Sequence, residues 1–193
     1  MRLFFGSFLS RANQSFYARW AWDLAARHPG TIRPVPDASA HITYVFAADV
    51  LDEAIEVLSA AVQESATAVK AIDISIGRPH LIGGSRPRLI CADIESGAAA
   101  VEELGRAISE VVQKACPAAS WSPSRSPHVT LLRFRKSARG RDARSINDDL
   151  QVSAQRTHDD RISSVNLVVS RLGPGGPVYE SRAEYYLSGR TSV

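Results

Sequence analysis

Cysteine is scarce in this chain. Cys91 and Cys116 are the two among 193 residues, far apart and without C-x-x-C or Cys/His metal spacing. That excludes a disulfide scaffold and fits a reducing compartment, so both read as core thiols. Long hydrophobic runs are also missing, since no stretch approaches the roughly 18 apolar residues of a membrane-spanning helix. The apolar Leu3-Phe4-Phe5-Gly6-Ser7-Phe8-Leu9 is short, follows one arginine and runs into Arg11 without a small-residue cleavage site. It is not expected to be a signal peptide, and a cytoplasmic protein without membrane association is expected. An excess of one charge is absent too: Lys and Arg number 23 against 20 Asp and Glu, a net charge of +3, too mild to argue for nucleic acid by itself. What remains is ordinary globular composition, 45% hydrophobic and 22% charged, long enough for one generous domain or two small lobes.

Arg2 to Leu9 reads as a buried strand, and Ser10 caps a helix carrying Phe16, Trp20 and Leu24, ended by Pro29-Gly30. Pro34 and Pro36 mark an irregular approach to the strand His41 to Phe46. Asp49 is placed to cap a helix whose face is Leu51, Ala54, Ile55, Leu58, Ala61 and Val62. Val69 to Ile76 reads as a strand, Gly83-Gly84 as a turn, Arg88 to Ile94 as a strand and Ala98 to Cys116 as an amphipathic helix. Pro127 to Phe134 repeats the strand character seen at His41. The polar stretch from Arg135 to Arg161 reads as loop with a short helix around Ile146 to Leu150. Ile162 to Leu172 and Val178 to Leu187 form a hairpin through Gly173-Pro174-Gly175-Gly176-Pro177.

An internal repeat underlies this order. Arg2-Leu3-Phe4-Phe5 aligns with Arg88-Leu89-Ile90-Cys91 at an offset of 86, and His41-Ile42-Thr43 with His128-Val129-Thr130 at 87. The approximate units are 2–46 and 88–134, and 1–193 is expected to be a single functional domain made of two pseudo-symmetric lobes. In a strand, residues i and i+2 share a face, so each motif presents an imidazole and a hydroxyl to one side. A pseudo-twofold axis brings the two motifs together across a cleft. With an unperturbed imidazole pKa of about 6.5, one histidine serves as free base and the other as imidazolium at neutral pH. A phosphodiester suits such a pair. One histidine takes a proton from water, the other protonates the departing alkoxide, and Thr43 and Thr130 bond the non-bridging oxygens. This chemistry needs no metal and no cofactor.

The paired His41-Ile42-Thr43-Tyr44 and His128-Val129-Thr130-Leu131, the opening Arg2-Leu3-Phe4-Phe5, and the closing Leu167-Val168-Val169-Ser170 with Gly176-Pro177-Val178-Tyr179-Glu180 resemble the 2H phosphoesterase superfamily. The branch they resemble is the RNA 2′,3′-cyclic phosphodiesterases, historically called 2′-5′ RNA ligases. The resemblance spans nearly the whole chain. It implies an α+β bilobal fold, with two antiparallel sheets flanking a central cleft and helices outside. It also implies metal-independent hydrolysis of a 2′,3′-cyclic phosphate to a 2′-phosphomonoester, on RNA ends or small nucleotides. Carried over, His41 is the proton donor and His128 the proton acceptor, an order the pseudo-symmetry allows to be reversed, and Thr43 and Thr130 bind phosphate. After the first motif the family often continues with leucine and then Phe-Leu-Gly. Here Tyr44-Val45-Phe46-Ala47-Ala48 follows, which leaves substrate contacts near Tyr44 and Phe46 open.

Phe46 and Arg133 are the remaining candidate substrate contacts. Arg133 follows Thr130 by three, and ideal alternation puts it on the face opposite His128. Arg125, Arg135, Lys136, Arg139, Arg141 and Arg144 make the flanks of the second motif the most basic part of the chain, either a solvated loop or a track for an RNA backbone. Phe46, Phe134 and Trp121 read as core or wall packing, with stacking of a base as the alternative for each. His28, His80 and His158 lack repeat partners and zinc spacing, and read as surface or capping residues. The glycine-proline run lacks the strand-to-helix context of a phosphate loop and is a turn. Two other functions stay open: joining or cleaving 2′-5′ linkages, and a non-catalytic RNA-binding module, the latter better served by arginine than by histidine.

Overall fold

A computed structural model describes residues 1–36, 39–83, 86–138, 140–152, 157–173 and 176–188. Gly84, Arg139, Pro174 and Gly175 of the expected turns and basic flank lie outside the described residues. In chain order the elements are β1 (Leu3–Phe8), α1 (Arg11–Arg27), β2 (Ile32–Pro34), β3 (His41–Ala47), a 3-10 turn (Asp52–Ala54), α2 (Ile55–Thr67), β4 (Ile72–Ile82) and β5 (Leu89–Ser96). There follow α3 (Ala98–Ala115), β6 (Trp121–Pro123), β7 (His128–Phe134), α4 (Gly140–Val152), β8 (His158–Ile162), β9 (Ser164–Gly173) and β10 (Gly176–Tyr186).

The fold is α+β with antiparallel strand pairing and helices outside. The sheet runs β10-β9-β1-β3-β7-β5-β4-β8, so the two expected sheets are the two ends of one hydrogen-bonded path. They join where Ile42 of β3 pairs with Val129 of β7. The connections exchange material between the ends. β4 belongs to the first half of the chain but pairs with β5, and β9 belongs to the second half but pairs with β1. The short strands cross as well: β2 pairs with β7 and β6 with β3. Helices follow the same exchange, α2 and α3 packing on the β10-to-β3 end and α1 and α4 contacting the β7-to-β8 end.

Local chemistry explains most elements. Ser10 caps α1 by accepting from the Asn13 backbone N–H at 3.4 Å, and Gly30 turns the chain after the helix at φ +77°. α3 buries Val101, Leu104, Ile108 and Val112 at helical spacing, and Gly105 lets it approach the Tyr44 ring, which an added Cβ would meet at 3.1 Å. α4 extends well beyond the expected Ile146 to Leu150, with Ala143, Ile146 and Leu150 buried. Four readings change. Asp49 does not cap α2. Its carboxylate accepts from Ser120 N–H and Oγ, both at 2.9 Å, tying the loop before β6 to the first half. β4 continues past Gly77 to Ile82 although Pro79 lies within it. β8 covers β4 only from Ile72 to Ile76, so Pro79 sits where that edge asks for no N–H. β8 and β9 are separate strands where one was expected from Ile162. β2 lies in the approach expected to be irregular, because a three-residue strand held by the opposite half carries no periodicity of its own, and β6 is a second strand of that kind.

Candidate active site

β3 and β7 carry the motifs, and their burial patterns match residue for residue over the first five positions: intermediate, buried, intermediate, buried, buried. His41 and Thr43 thus face one side with His128 and Thr130, while Ile42 and Val129 fill the core at 0% exposure. Continuing the Ile42–Val129 antiparallel register by one residue each way sets His41 against Thr130 and Thr43 against His128.

Both strands then bulge at equivalent places. Along β1 and β3 the register passes from Phe5–Val45 to Gly6–Thr43 and leaves Tyr44 unpaired. Along β5 and β7 it passes from Ile90–Leu132 to Cys91–Thr130 and leaves Leu131 unpaired. Each extra residue shifts the alternation by one. Phe46 and Arg133 therefore turn to the same face as the threonines three residues before them, and both line a cavity of about 400 Å³ together with His41, Thr43 and Thr130. The expectation that Arg133 lies opposite His128 assumed an unbroken pleat and is corrected by this bulge. His128 is not part of this cavity's lining but stands close enough for its charge to bear on His41.

The two histidines are held alike. His41 Nδ1 donates to the Ser39 carbonyl at 2.5 Å and His128 Nδ1 to the Ser126 carbonyl at 3.0 Å. A carbonyl oxygen only accepts, so each Nδ1 carries a proton and each neutral ring keeps its lone pair on Nε2. Their surroundings differ. Phe4 stacks on the His41 ring at 4.6 Å and 20°, while Phe8 and Tyr179 meet it edge-on at 5.8 and 5.3 Å. Burial lowers the His41 pKa to about 4, and the charges of Arg133 and His128 act in the same direction against the Ser39 hydrogen bond.

Cys91 lies beneath Thr130, its Sγ 3.8 Å from Oγ1, and burial pushes its thiol up to about 11. Cys116 is half-buried and unpaired with Cys91. Tyr44 is a core residue at 3% exposure, its hydroxyl 2.6 Å from Ser7 Oγ, and it is not part of the lining of the histidine cavity. Trp121 donates its Nε1–H to the Cys116 carbonyl at 2.8 Å. His28 bonds Asp149 across α1 and α4, His80 faces Asp93, and His158 packs on Phe16.

Sequence reasoning missed seven of the twelve residues of the cavity wall, among them Arg2, Phe4, Arg33 and Tyr179. Arg2 lies 5.3 Å from the Phe46 ring centroid. Phe4 and Tyr179 were quoted only as landmarks, and Arg33 was hidden in a segment read as irregular. A usable signal existed: each short cross-strand ends in a proline, Pro34 and Pro123, a few residues before its histidine.

The duplicated His-x-Thr strands at the junction of an antiparallel α+β sheet define the two-histidine class that the sequence resembles. A family model described as the 2′-5′ RNA ligase superfamily matches residues 13–168. The chain belongs to that superfamily, the 2H phosphoesterases, and is a phosphoesterase or ligase-type enzyme. Its fold is similar to a crystal structure of Thermus thermophilus TT0787, with a TM-score of 0.76 and 22% identity over 99% of this chain and 100% of that one. It is similar to Escherichia coli LigT complexed with 3′-AMP, with a TM-score of 0.72 and 17% identity over 97% and 98%. It is also similar to Kluyveromyces marxianus Usb1, with a TM-score of 0.54 and 12% identity over 92% and 96%. No curated protein sequence matches the chain. Among the described residues no helix is long and apolar enough to cross a membrane.

Proposed function

We propose that this chain hydrolyses terminal 2′,3′-cyclic phosphates to 2′-phosphomonoesters, with His41 as the base and His128 as the acid. The observation that carries the reading is the matched pair of imidazoles, each with Nδ1 tied to a carbonyl and Nε2 left for proton transfer. Water attacks phosphorus as His41 Nε2 takes its proton. The bond from phosphorus to the 3′ oxygen breaks as His128 Nε2–H protonates that oxygen, leaving a 2′-phosphate and a 3′-hydroxyl. Proton exchange with solvent then resets both rings. Thr43 and Thr130 donate to the non-bridging oxygens, and Arg133 offsets the charge that develops there.

This acid and base order reverses the one implied by the resemblance. An acid with a pKa of about 4 would be protonated in roughly one molecule in a thousand at pH 7. A base with that pKa is fully available. The test uses a 2′,3′-cyclic nucleotide with the wild type, His41→Ala and His128→Ala. Turnover should persist in EDTA and fall by more than about a thousandfold in both variants, the scale of losing an acid or base together with its oriented partner. Full activity in either variant defeats the two-histidine mechanism.

A second reading is joining of 2′-5′ linkages, supported by the description of the superfamily. A 5′-hydroxyl in place of water would give that product by the same proton transfers. Product analysis with a 5′-hydroxyl oligonucleotide present separates the two.

A further inference from the structure

The two histidines differ in what holds the carbonyl that orients them. Ser39, whose carbonyl accepts from His41, is buried at 5% exposure and its hydroxyl donates to the Pro36 carbonyl. The next residue, Ala40, is buried as well and accepts from Leu9 N–H at 3.0 Å. The rings of Phe4, Phe8 and Tyr179 then confine the imidazole itself. Ser126, whose carbonyl accepts from His128, is exposed, as is Arg125 before it. Among the described residues no aromatic ring packs on His128. The segment from Pro123 to Pro127 borders a cavity of about 370 Å³ against α3, opposite Val101, Gly105 and Ser109. Packing does not fix the segment on that side.

Hydrogen bonds hold this carbonyl instead, and Ser124 makes two of them. Its N–H donates to Tyr44 O at 2.8 Å, which carries the β3–β6 pairing past Pro123 to the residue where β3 bulges. Its Oγ–H donates to Ser126 O at 3.1 Å, the same oxygen that accepts from His128 Nδ1 at 3.0 Å. A carbonyl oxygen has two lone pairs and accommodates both donors. A connected path therefore runs from the first motif strand to the second imidazole: Tyr44 O, Ser124, Ser126 O, His128 Nδ1. Ser124 lines the cavity against α3 and not the one at the histidines, so it acts through His128 and not on substrate.

Resting on the cyclic phosphodiesterase reading, we propose that Ser124 is a positioning residue for His128. Its hydroxyl fixes the Ser126 carbonyl, and that carbonyl keeps the ring in the Nδ1–H form with Nε2 aimed at the leaving oxygen. The histidine walled by aromatic rings needs no such device; the solvent-facing one does.

Two measurements on the whole chain test this. Long-range proton–nitrogen NMR spectra of the protein without substrate, at about pH 9 where imidazoles are neutral, report which ring nitrogen carries the proton. Wild type should show His128 as the Nδ1–H form. Ser124→Ala, which keeps the backbone bond to Tyr44 O, should convert His128 to a mixture of both tautomers and leave His41 as it was. Ser124→Thr restores the hydroxyl, its added methyl has room in the cavity, and the single form should return. The second measurement separates kcat from KM on a 2′,3′-cyclic nucleotide. Ser124→Ala should lower kcat by roughly ten- to a hundredfold, from the net worth of one hydrogen bond to the cost of a misplaced reacting group. KM should stay within about twofold, because no substrate contact is lost, and Ser124→Thr should recover most of kcat. Ser122→Ala, which removes a hydroxyl from the same strand outside the path, should match wild type in both measurements. An identical His128 tautomer in wild type and Ser124→Ala overturns the proposal, and so does a kcat indifferent to a changed tautomer. A changed tautomer with no turnover by any of the proteins, wild type included, supports the link from Ser124 to His128 and removes the phosphodiesterase reading.

Discussion

Phe4 lies flat against the imidazole of His41, 4.6 Å between centroids, so an aromatic ring covers one face of the histidine that lines the cavity. Kinetics should report this. Burial holds the His41 pKa at about 4, and the proposed base works only when neutral. The acid limb of kcat/KM should therefore fall near pH 4 to 5, well below an ordinary imidazole. Phe4→Ala and Tyr179→Ala admit water and should move that limb up toward about 6.5. A wild-type limb already at 6.5 and unmoved by either change contradicts the assignment.

Stability is linked to the same group. A folded pKa of about 4 against an unfolded value of about 6.5 means that the unfolded chain binds more protons between these values. The contribution is fully present above pH 6.5 and declines as pH falls toward 4. Urea unfolding of wild type and His41→Gln across that window should show a steeper loss in the wild type. Parallel pH profiles would mean that His41 is solvated in the folded protein.

Arg133 reaches the cavity because Leu131 is left out of the register with β5. Arg133→Ala should lower kcat/KM by about a hundredfold or more, a loss typical of a donor aimed at developing charge. Arg133→Lys should recover part of it, since the charge returns but the planar fork does not. Equal activity in all three proteins would place Arg133 outside the reaction.

Gly6 lies against β3, where an added Cβ would sit 2.3 Å from Ile42 O and 3.3 Å from Thr43 Cα. These are backbone atoms of the motif strand and cannot swing aside. Gly6→Ala should destabilise the protein by about 1–3 kcal/mol and lower kcat by displacing His41 and Thr43. Thermal denaturation and turnover measured together check both effects, and a variant unchanged in either would show that β3 yields freely.

Cys91, buried beneath Thr130 with its thiol raised to about 11, should resist alkylation in the native state. Cys116, half-buried at the end of α3, should react first. Mass spectrometry after a short alkylation pulse checks the order.

The motifs were legible because pairing, alternation and spacing are local properties that a sequence displays directly. What was not legible came from contacts between the halves. Phe4 pairs with Phe46 and Leu89 with Arg133. Relative to the motif strands, Phe4 therefore corresponds to Leu89, not to Ile90 as the alignment of Arg2 with Arg88 had it. A slip of one residue exchanges the two faces of a strand. That is why Phe4 was not read as a wall of the cavity. The bulges at Tyr44 and Leu131 left no mark of their own in composition. Arg33 depends on a strand whose partner lies about a hundred residues away, beyond any local pattern.

The exchange of β4 and β9 bears on how the chain is made. Synthesis delivers β1 and β3 well before β9 and β10, which form the outer part of that end of the sheet. The β10-to-β3 end of the sheet cannot close until the chain has been made through β10. Its apolar face, with Leu3, Phe5 and Val45, waits for β9 and β10. Truncation before β9 therefore removes the neighbour of β1 and leaves β1, the partner of the His41 strand, as an exposed edge.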